Sequence, residues 1–151
     1  MRYDLVLENG RVIDPESSTD GILSVGVKNG IIKTICTEKL TGETIIDASG
    51  YIVAPGFIDI HAHEDFALAS PTDDDDGNSL PLQTAMALLR SGVTTMIGGN
   101  CGIGAYPFGP YLAKMKENPL PLNYITLVGY SSLREWLGID QYSSPGPAST
   151  V

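Results

Sequence analysis

Two histidines, His61 and His63, form the pattern in this sequence that is best suited to chemistry. They follow the apolar run Ile58-Asp59-Ile60, which is typical of a buried β-strand. Side chains two residues apart on a strand lie on the same face, so both imidazoles would converge just past the strand's end. Paired imidazoles suit Zn²⁺, which in a catalytic site needs further ligands and an open position for water. The pair therefore predicts a metal centre. Because the chain has 2 histidines, any further imidazole ligand would have to come from elsewhere.

Cys101 is the predicted third ligand of that centre. It lies in Gly98-Gly99-Asn100-Cys101-Gly102, directly after a second strand pattern at residues 93–97, and its position mirrors that of His61. A thiolate beside two imidazoles is a competent soft ligand, and a bound metal would itself deprotonate the thiol. The alternative is a small apolar filler, which is the role of most free cysteines and the one we predict for Cys36.

Two acidic residues, Glu64 and Asp65, directly follow the histidine pair. They could supply further ligands or accept hydrogen bonds that orient the imidazoles. The glycine-rich stretch around Cys101 lacks the Lys-Ser/Thr pair of a P-loop and the third glycine of a dinucleotide fingerprint. The run of four aspartates at residues 73–76 lacks the ligand spacing of an EF-hand, so it predicts a solvated acidic loop.

The elements that must position these residues alternate between strand and helix. Apolar strand patterns lie at residues 57–60, 93–97 and 124–128, and helical patterns follow at 79–92, 111–116 and 132–138. Ser79 is a predicted N-cap, and Ser132 with Glu135 resembles a capping box. This alternation predicts right-handed crossovers and a parallel sheet with its chemistry at the carboxyl ends of the strands.

Residues 3–53 instead show a run of short β-strands. Asn9-Gly10 and Asn29-Gly30 stand between β-branched runs and predict two hairpins, and further strands are predicted at 44–47 and 51–53. We therefore expect a small antiparallel β-rich unit over residues 1–53. The alternating part follows over residues 54–138, and residues 139–151 have the Pro/Gly/Ser composition of a flexible tail.

Composition narrows the function classes. The net charge of −9 argues against nucleic acid and anionic membrane surfaces as partners. No apolar run reaches membrane-spanning length. The start of the chain lacks the apolar core of a signal peptide, and 2 cysteines fit a reducing cytoplasm.

Together these residues resemble the N-terminal part of the amidohydrolase superfamily. The residues that carry the resemblance are Ala54-Pro55-Gly56-Phe57-Ile58-Asp59-Ile60-His61-Ala62-His63 and Ser91-Gly92-Val93-Thr94-Thr95. The stretches Gly99-Asn100-Cys101-Gly102 and Leu127-Val128-Gly129-Tyr130-Ser131-Ser132-Leu133-Arg134 are similar to the N-acyl-D-amino-acid deacylase, or D-aminoacylase, branch. Tyr130 stands where that branch usually shows histidine, a departure that predicts an atypical substrate.

The resemblance implies an α/β fold in which a small β-sandwich-like unit precedes the first three βα units of an incomplete (β/α)₈ barrel. It implies that His61, His63 and Cys101 bind zinc, with one or two ions in the complete enzyme and weak or absent binding in this chain alone. It also implies that the substrate is a small N-acyl amino acid or a related amide. Zinc would polarise the amide carbonyl and activate water. Two more histidines and the catalytic aspartate come from later strands in the family, so this chain alone is predicted to be inactive.

Two other functions stay open at this point. The first is a cyclic-amide hydrolase of the same superfamily, such as a dihydroorotase or hydantoinase, against which Cys101 argues. The second is a non-enzymatic remnant that binds metal weakly or pairs with the missing C-terminal part. A short parallel sheet has open edges, so self-association of the isolated chain is also expected.

Overall fold

The computed structural model describes residues 1–63 and 80–139. The chain divides into two compact units, Met1–Pro55 and Gly56–Val151. Several residues of the predictions lie outside the described part: Glu64, Asp65, the aspartate run at 73–76, Ser79 and the tail from residue 140 onward. No helix in the described part is both long and apolar enough to cross a membrane.

The first unit is a mixed five-stranded β-sheet. Its strands are β1 (Arg2–Asp14), β2 (Thr19–Lys28), β3 (Ile31–Cys36), β4 (Thr41–Asp47) and β5 (Ile52–Val53). The strand order is β3-β2-β1-β4, and β5 also pairs with β1. Both β4 and β5 run parallel to β1, so the prediction of a wholly antiparallel unit was wrong. The chain crosses from β3 to the opposite side of β1, and such a crossover brings the next strand in parallel.

The two Asn-Gly pairs have different roles. Asn29 and Gly30 have φ values of 52° and 71° and join β2 to β3, so this predicted hairpin is confirmed. Asn9 also has a positive φ, 64°, but it lies inside β1, where the pairing register with β2 shifts between Leu7 and Gly10. That prediction of a hairpin was wrong: the site is a β-bulge within one long strand. Its Asn9 side chain donates a hydrogen bond to Asp47 Oδ1 at 2.9 Å.

Aspartate side chains accept hydrogen bonds that stabilise the turns and strands of this unit. Asp47 accepts hydrogen bonds from the Ser49 hydroxyl at 2.6 Å, from Asn9, and from the Ser49 backbone N–H at 3.1 Å. These bonds, the Ser49 hydroxyl first, lower the pKa of Asp47 below its ordinary value of 3.8. Arg11 donates two hydrogen bonds of 2.7 Å to Asp20 and lowers the pKa of that carboxyl in the same way. The pKa values of Asp4 and Asp14 are lowered as well.

These shifts predict a loss of stability in acid. Because each carboxyl holds its proton less tightly in the folded state, its contribution is complete above the ordinary pKa and is lost as pH falls through the folded pKa. The urea midpoint of the strand signal in circular dichroism should therefore fall as pH is lowered below about 4. Asp47→Asn should lower the midpoint at neutral pH and make this acid-induced fall smaller. A midpoint that is independent of pH between neutrality and strong acid would contradict the prediction.

The second unit alternates strand and helix, as predicted. Its elements are β6 (Phe57–Asp59), α1 (Leu80–Arg90), β7 (Val93–Gly98), a 3₁₀ turn (Asn100–Gly102), α2 (Phe108–Glu117), β8 (Asn123–Thr126) and α3 (Tyr130–Trp136). The three strands form one parallel sheet in the order β6-β7-β8. A mixed α/β architecture, with a β-sheet followed by parallel strand and helix units, is thus confirmed. That the second unit is part of an incomplete (β/α)₈ barrel and the first part of a β-sandwich stays a prediction.

One face of this sheet carries the core of the unit. Met96 and Ala85 are fully buried and Ala62 is 3% exposed, with five partly buried residues packed around them: Leu88, Met115, Leu120, Leu122 and Tyr124. On the opposite face Ile58 and Ile125 are 61% and 51% exposed. Exposed isoleucines on an open sheet agree with the expected tendency to self-associate, which stays a prediction.

The last helix begins differently from the prediction. Helix α3 starts at Tyr130 after Gly129, and no side chain caps it. The Ser132 hydroxyl instead accepts a hydrogen bond from the backbone N–H of Gly104 at 3.1 Å. The predicted capping box was therefore wrong, because a loop distant in sequence supplies the partner of this serine.

Candidate metal centre

The candidate site lies where β6 and β7 end side by side. Both strands are parallel neighbours, so the segments that follow them leave the same edge of the sheet. His61 and His63 follow β6, and Cys101 follows β7. The backbone N–H of Ala62 donates to the carbonyl of Ile97 at 3.2 Å, which continues the contact between the two strands into the site.

The structure brings the three predicted ligands together. His61 Nε2 lies 3.3 Å from Cys101 Sγ. The rings of His61 and His63 have centroids 5.2 Å apart and an angle of 62° between their planes. One ligand atom from each of the three residues lies within 4.8 Å of the other two, and all three side chains are exposed. The predicted cluster is therefore present, while metal ligation itself stays a prediction.

Cys101 has an unusual backbone conformation. Its φ is 56°, between Gly99 and Gly102, which both have φ values of 75°. A non-glycine residue in the left-handed region is uncommon, and such strain costs on the order of 1–3 kcal/mol and concentrates at functional sites. Gly99 has no room for a side chain, because a Cβ there would lie 2.2 Å from the carbonyl oxygen of Leu127. The glycines on both sides of the cysteine therefore have a steric role.

Asn100 is the site residue that sequence reasoning missed. Its side chain is 9% exposed and donates hydrogen bonds to the carbonyl oxygens of Ile97 at 2.7 Å and Ala62 at 3.3 Å. In the sequence, Asn100 stands out only as a polar residue that follows two glycines and precedes the candidate ligand Cys101. That signal does not reveal the acceptors, because Ala62 lies 38 residues away in the chain.

The donor set and its spacing fit zinc. In a tetrahedral site with Zn–N and Zn–S bonds of ordinary length, ligand atoms lie about 3.3–3.6 Å apart. The distance of 3.3 Å between His61 and Cys101 agrees with that spacing, and the remaining separations lie within 4.8 Å. Two imidazoles and one thiolate make three ligands, which leaves a fourth position for water or substrate. His61, His63 and Cys101 would thus hold the ion.

A cavity lies on the loop that carries Cys101. Its volume is about 380 Å³, and its lining comprises Ile103, Gly104, Tyr106, Ser132, Glu135 and Trp136. The rings of Tyr106 and Trp136 lie 4.9 Å apart at an angle of 53°. The lining therefore combines this aromatic pair with the polar side chains of Ser132 and Glu135.

Tyr130, the departure from the branch pattern, is tied to its own helix. Arg134 donates a hydrogen bond of 3.1 Å to the Tyr130 hydroxyl, and its guanidinium carbon lies 5.5 Å from the ring centroid. Tyr130 is 56% exposed, whereas Arg134 is 6% exposed. The phenol is therefore held by a buried cation, and the predicted effect on substrate choice is still a prediction.

Comparison with known proteins identifies the family. No protein-family model matches the chain. A D-aminoacylase from Alcaligenes xylosoxydans xylosoxydans is 30% identical in a match that covers 87% of this chain and 30% of the relative. A solved D-aminoacylase structure, described through its binuclear metal center, matches with a TM-score of 0.72 and 28% identity over 87% of this chain and 31% of that one. This chain belongs to the amidohydrolase superfamily.

Within the amidohydrolases the chain is D-aminoacylase-like and corresponds to an N-terminal portion. An N-acyl-D-glutamate deacylase from Bordetella bronchiseptica, solved with zinc and a phosphonate mimic of the tetrahedral intermediate, has a TM-score of 0.69. It is 29% identical, and the match covers 89% of this chain and 31% of that structure. A dihydroorotase from Aquifex aeolicus (strain VF5) is 52% identical over 60 residues, or 39% of this chain and 14% of the relative. The chain thus spans less than a third of the D-aminoacylase that it matches.

Proposed function

We propose that this chain forms the N-terminal part of a zinc-dependent hydrolase that cleaves the linear amide bond of an N-acyl amino acid. The observation that carries the proposal is the convergence of Cys101 with His61 and His63 within 4.8 Å at the ends of adjacent strands. The similarity to D-aminoacylase supports the deacylase assignment.

The chemistry follows from the donor set. A zinc ion held by His61, His63 and Cys101 would polarise a carbonyl and lower the pKa of a bound water to about 7. Other residues of this chain orient the ligands of the ion. The backbone N–H of His61 donates a hydrogen bond to Asp59 Oδ1 at 3.0 Å, and the glycines beside Cys101 fix the backbone that carries its thiol. No carboxylate among residues 1–63 and 80–139 joins this cluster to act as a general base.

The isolated chain is therefore expected to lack catalytic activity. Because no carboxylate of the described residues joins the three ligands, the proton transfer that hydrolysis requires has no base there. Zinc-loaded chain should hydrolyse N-acyl-D-amino acids no faster than its His61→Ala variant, as measured by release of the free amino acid. Turnover that His61→Ala abolishes would contradict this expectation.

A pair of hybrid enzymes tests the proposed function. In one hybrid, residues 1–138 replace the matching N-terminal part of the Alcaligenes D-aminoacylase; in the other, they replace that of the Aquifex dihydroorotase. We expect the first hybrid to hydrolyse N-acyl-D-amino acids and to lose that activity with Cys101→Ala. Activity only in the second would favour the cyclic-amide hydrolase, the second candidate that the dihydroorotase similarity supports.

Measuring the zinc bound to each hybrid makes an absence of hydrolytic activity interpretable. Each hybrid is assayed for bound zinc and for a cooperative unfolding transition before its activity is measured. Hybrids that fold and bind zinc yet hydrolyse neither substrate would overturn the enzymatic proposal and favour the non-enzymatic remnant.

A further inference from the structure

Asn100 joins the two segments that carry the candidate ligands. A carboxamide has two N–H donors, and Asn100 uses them on the carbonyls of Ile97 and Ala62. The Ile97 carbonyl also accepts the backbone N–H of Ala62 at 3.2 Å. Three hydrogen bonds therefore close a ring between the end of β7 and the segment that follows β6. We call this ring, formed by Asn100, Ile97 and Ala62, the carboxamide clamp.

The clamp acts next to all three ligands. Ala62 lies between His61 and His63, and Asn100 directly precedes Cys101. Fixing Ala62 against Asn100 therefore fixes the origins of the three side chains relative to one another. Ala62 is 3% exposed, so water cannot readily replace a lost partner of its carbonyl.

The chemistry of the clamp requires a donor. Both of its acceptors are carbonyl oxygens, so an aspartate of the same shape would place negative oxygens against them. An alanine would remove the side-chain donor from the buried Ala62 carbonyl, whereas the Ile97 carbonyl would keep the backbone N–H of Ala62. Asparagine satisfies both acceptors without adding charge beside the ligands.

We propose that Asn100 is a positioning residue of the metal centre, which sets the spacing of Cys101 relative to His61 and His63 without binding the metal itself. This inference rests on the proposed metal site. Groups that orient metal ligands typically contribute about 10–100-fold to metal affinity. We expect a contribution of that size here, since the clamp holds the ligands in place before the metal arrives.

The test is a Co²⁺ titration of the whole 151-residue chain, monitored by the thiolate-to-cobalt absorption band in the near ultraviolet. Asn100→Asp should weaken Co²⁺ binding by about 10–100-fold and reduce that band. Asn123→Asp is the matched control, because Asn123 also bridges two strands of this sheet, with bonds of 3.2 Å and 3.3 Å to Thr94 and Thr95. It lies on β8 where that strand begins, away from the ligands, and it should bind Co²⁺ as the unmodified chain does.

The outcomes distinguish a failure of the proposed positioning role of Asn100 from a failure of the proposed metal site. If the unmodified chain forms no thiolate-to-cobalt band, the proposed metal site fails, and the inference fails with it. If the unmodified chain forms the band and Asn100→Asp binds Co²⁺ equally well, only the inference is overturned. Asn100→Ala serves as a second variant without added charge. If both variants lose the native fluorescence of Trp136 in the absence of metal, Asn100 is required for folding and a positioning role is also overturned.

Discussion

Replacing Cys101 with alanine is expected to abolish the thiolate-to-cobalt absorption band and to weaken metal binding more than 100-fold. The reason is that a ligand atom itself is removed, whereas residues that only orient ligands contribute about 10–100-fold. Cys101 Sγ lies 3.3 Å from His61 Nε2, so its loss leaves two exposed imidazoles as the remaining ligands of the cluster. The measurement is a Co²⁺ titration followed by absorption, with zinc competition to obtain the affinity for zinc.

The chain contains its own control for this prediction. Cys36→Ala removes the other thiol, which lies in the first unit, donates to the Glu38 carbonyl at 3.6 Å, and has a pKa raised by burial. This variant should bind Co²⁺ as the unmodified chain does. A Cys101→Ala variant that keeps its affinity would mean that Cys101 is a small filler, and it would remove the observation that separates a deacylase from a cyclic-amide hydrolase.

Met96→Ala is expected to destabilise the second unit by about 2–5 kcal/mol. Met96 is fully buried at the centre of β7, packed against both Ala85 and Ala62, so truncation leaves a cavity between the sheet and its helices. The chain has 1 tryptophan, Trp136, which lies in this unit and reports its unfolding by fluorescence in urea. Because Ala62 borders the cavity, metal affinity should fall together with stability.

Leu112→Ala is a suitable comparison for this stability change. Leu112 lies on α2 and is 47% exposed, so truncation there removes much less buried surface and should cost far less than Met96→Ala. A Met96→Ala variant within about 0.5 kcal/mol of the unmodified chain, the range typical of surface substitutions, would contradict the assigned core.

The sequence by itself determined the features that depend on local spacing. The i, i+2 histidines, the alternation of strands and helices after residue 56 and the Asn29-Gly30 turn were all predicted, because backbone dihedral preferences and side-chain periodicity act over a few neighbouring residues. The pairing of Cys101 with His61 was also predicted, since the carboxyl ends of parallel strands meet at one edge.

Tertiary structure alone decided which distant segments meet. Asn9-Gly10 became a bulge because β2 pairs with β1 on both sides of it, and β4 joined β1 in parallel because of where the chain crosses. Ser132 accepts from Gly104 instead of capping its helix, and the Asn100 carboxamide reaches an acceptor in the segment that follows β6. Each of these contacts depends on a partner 13 or more residues away, and local preferences carry no information about that partner.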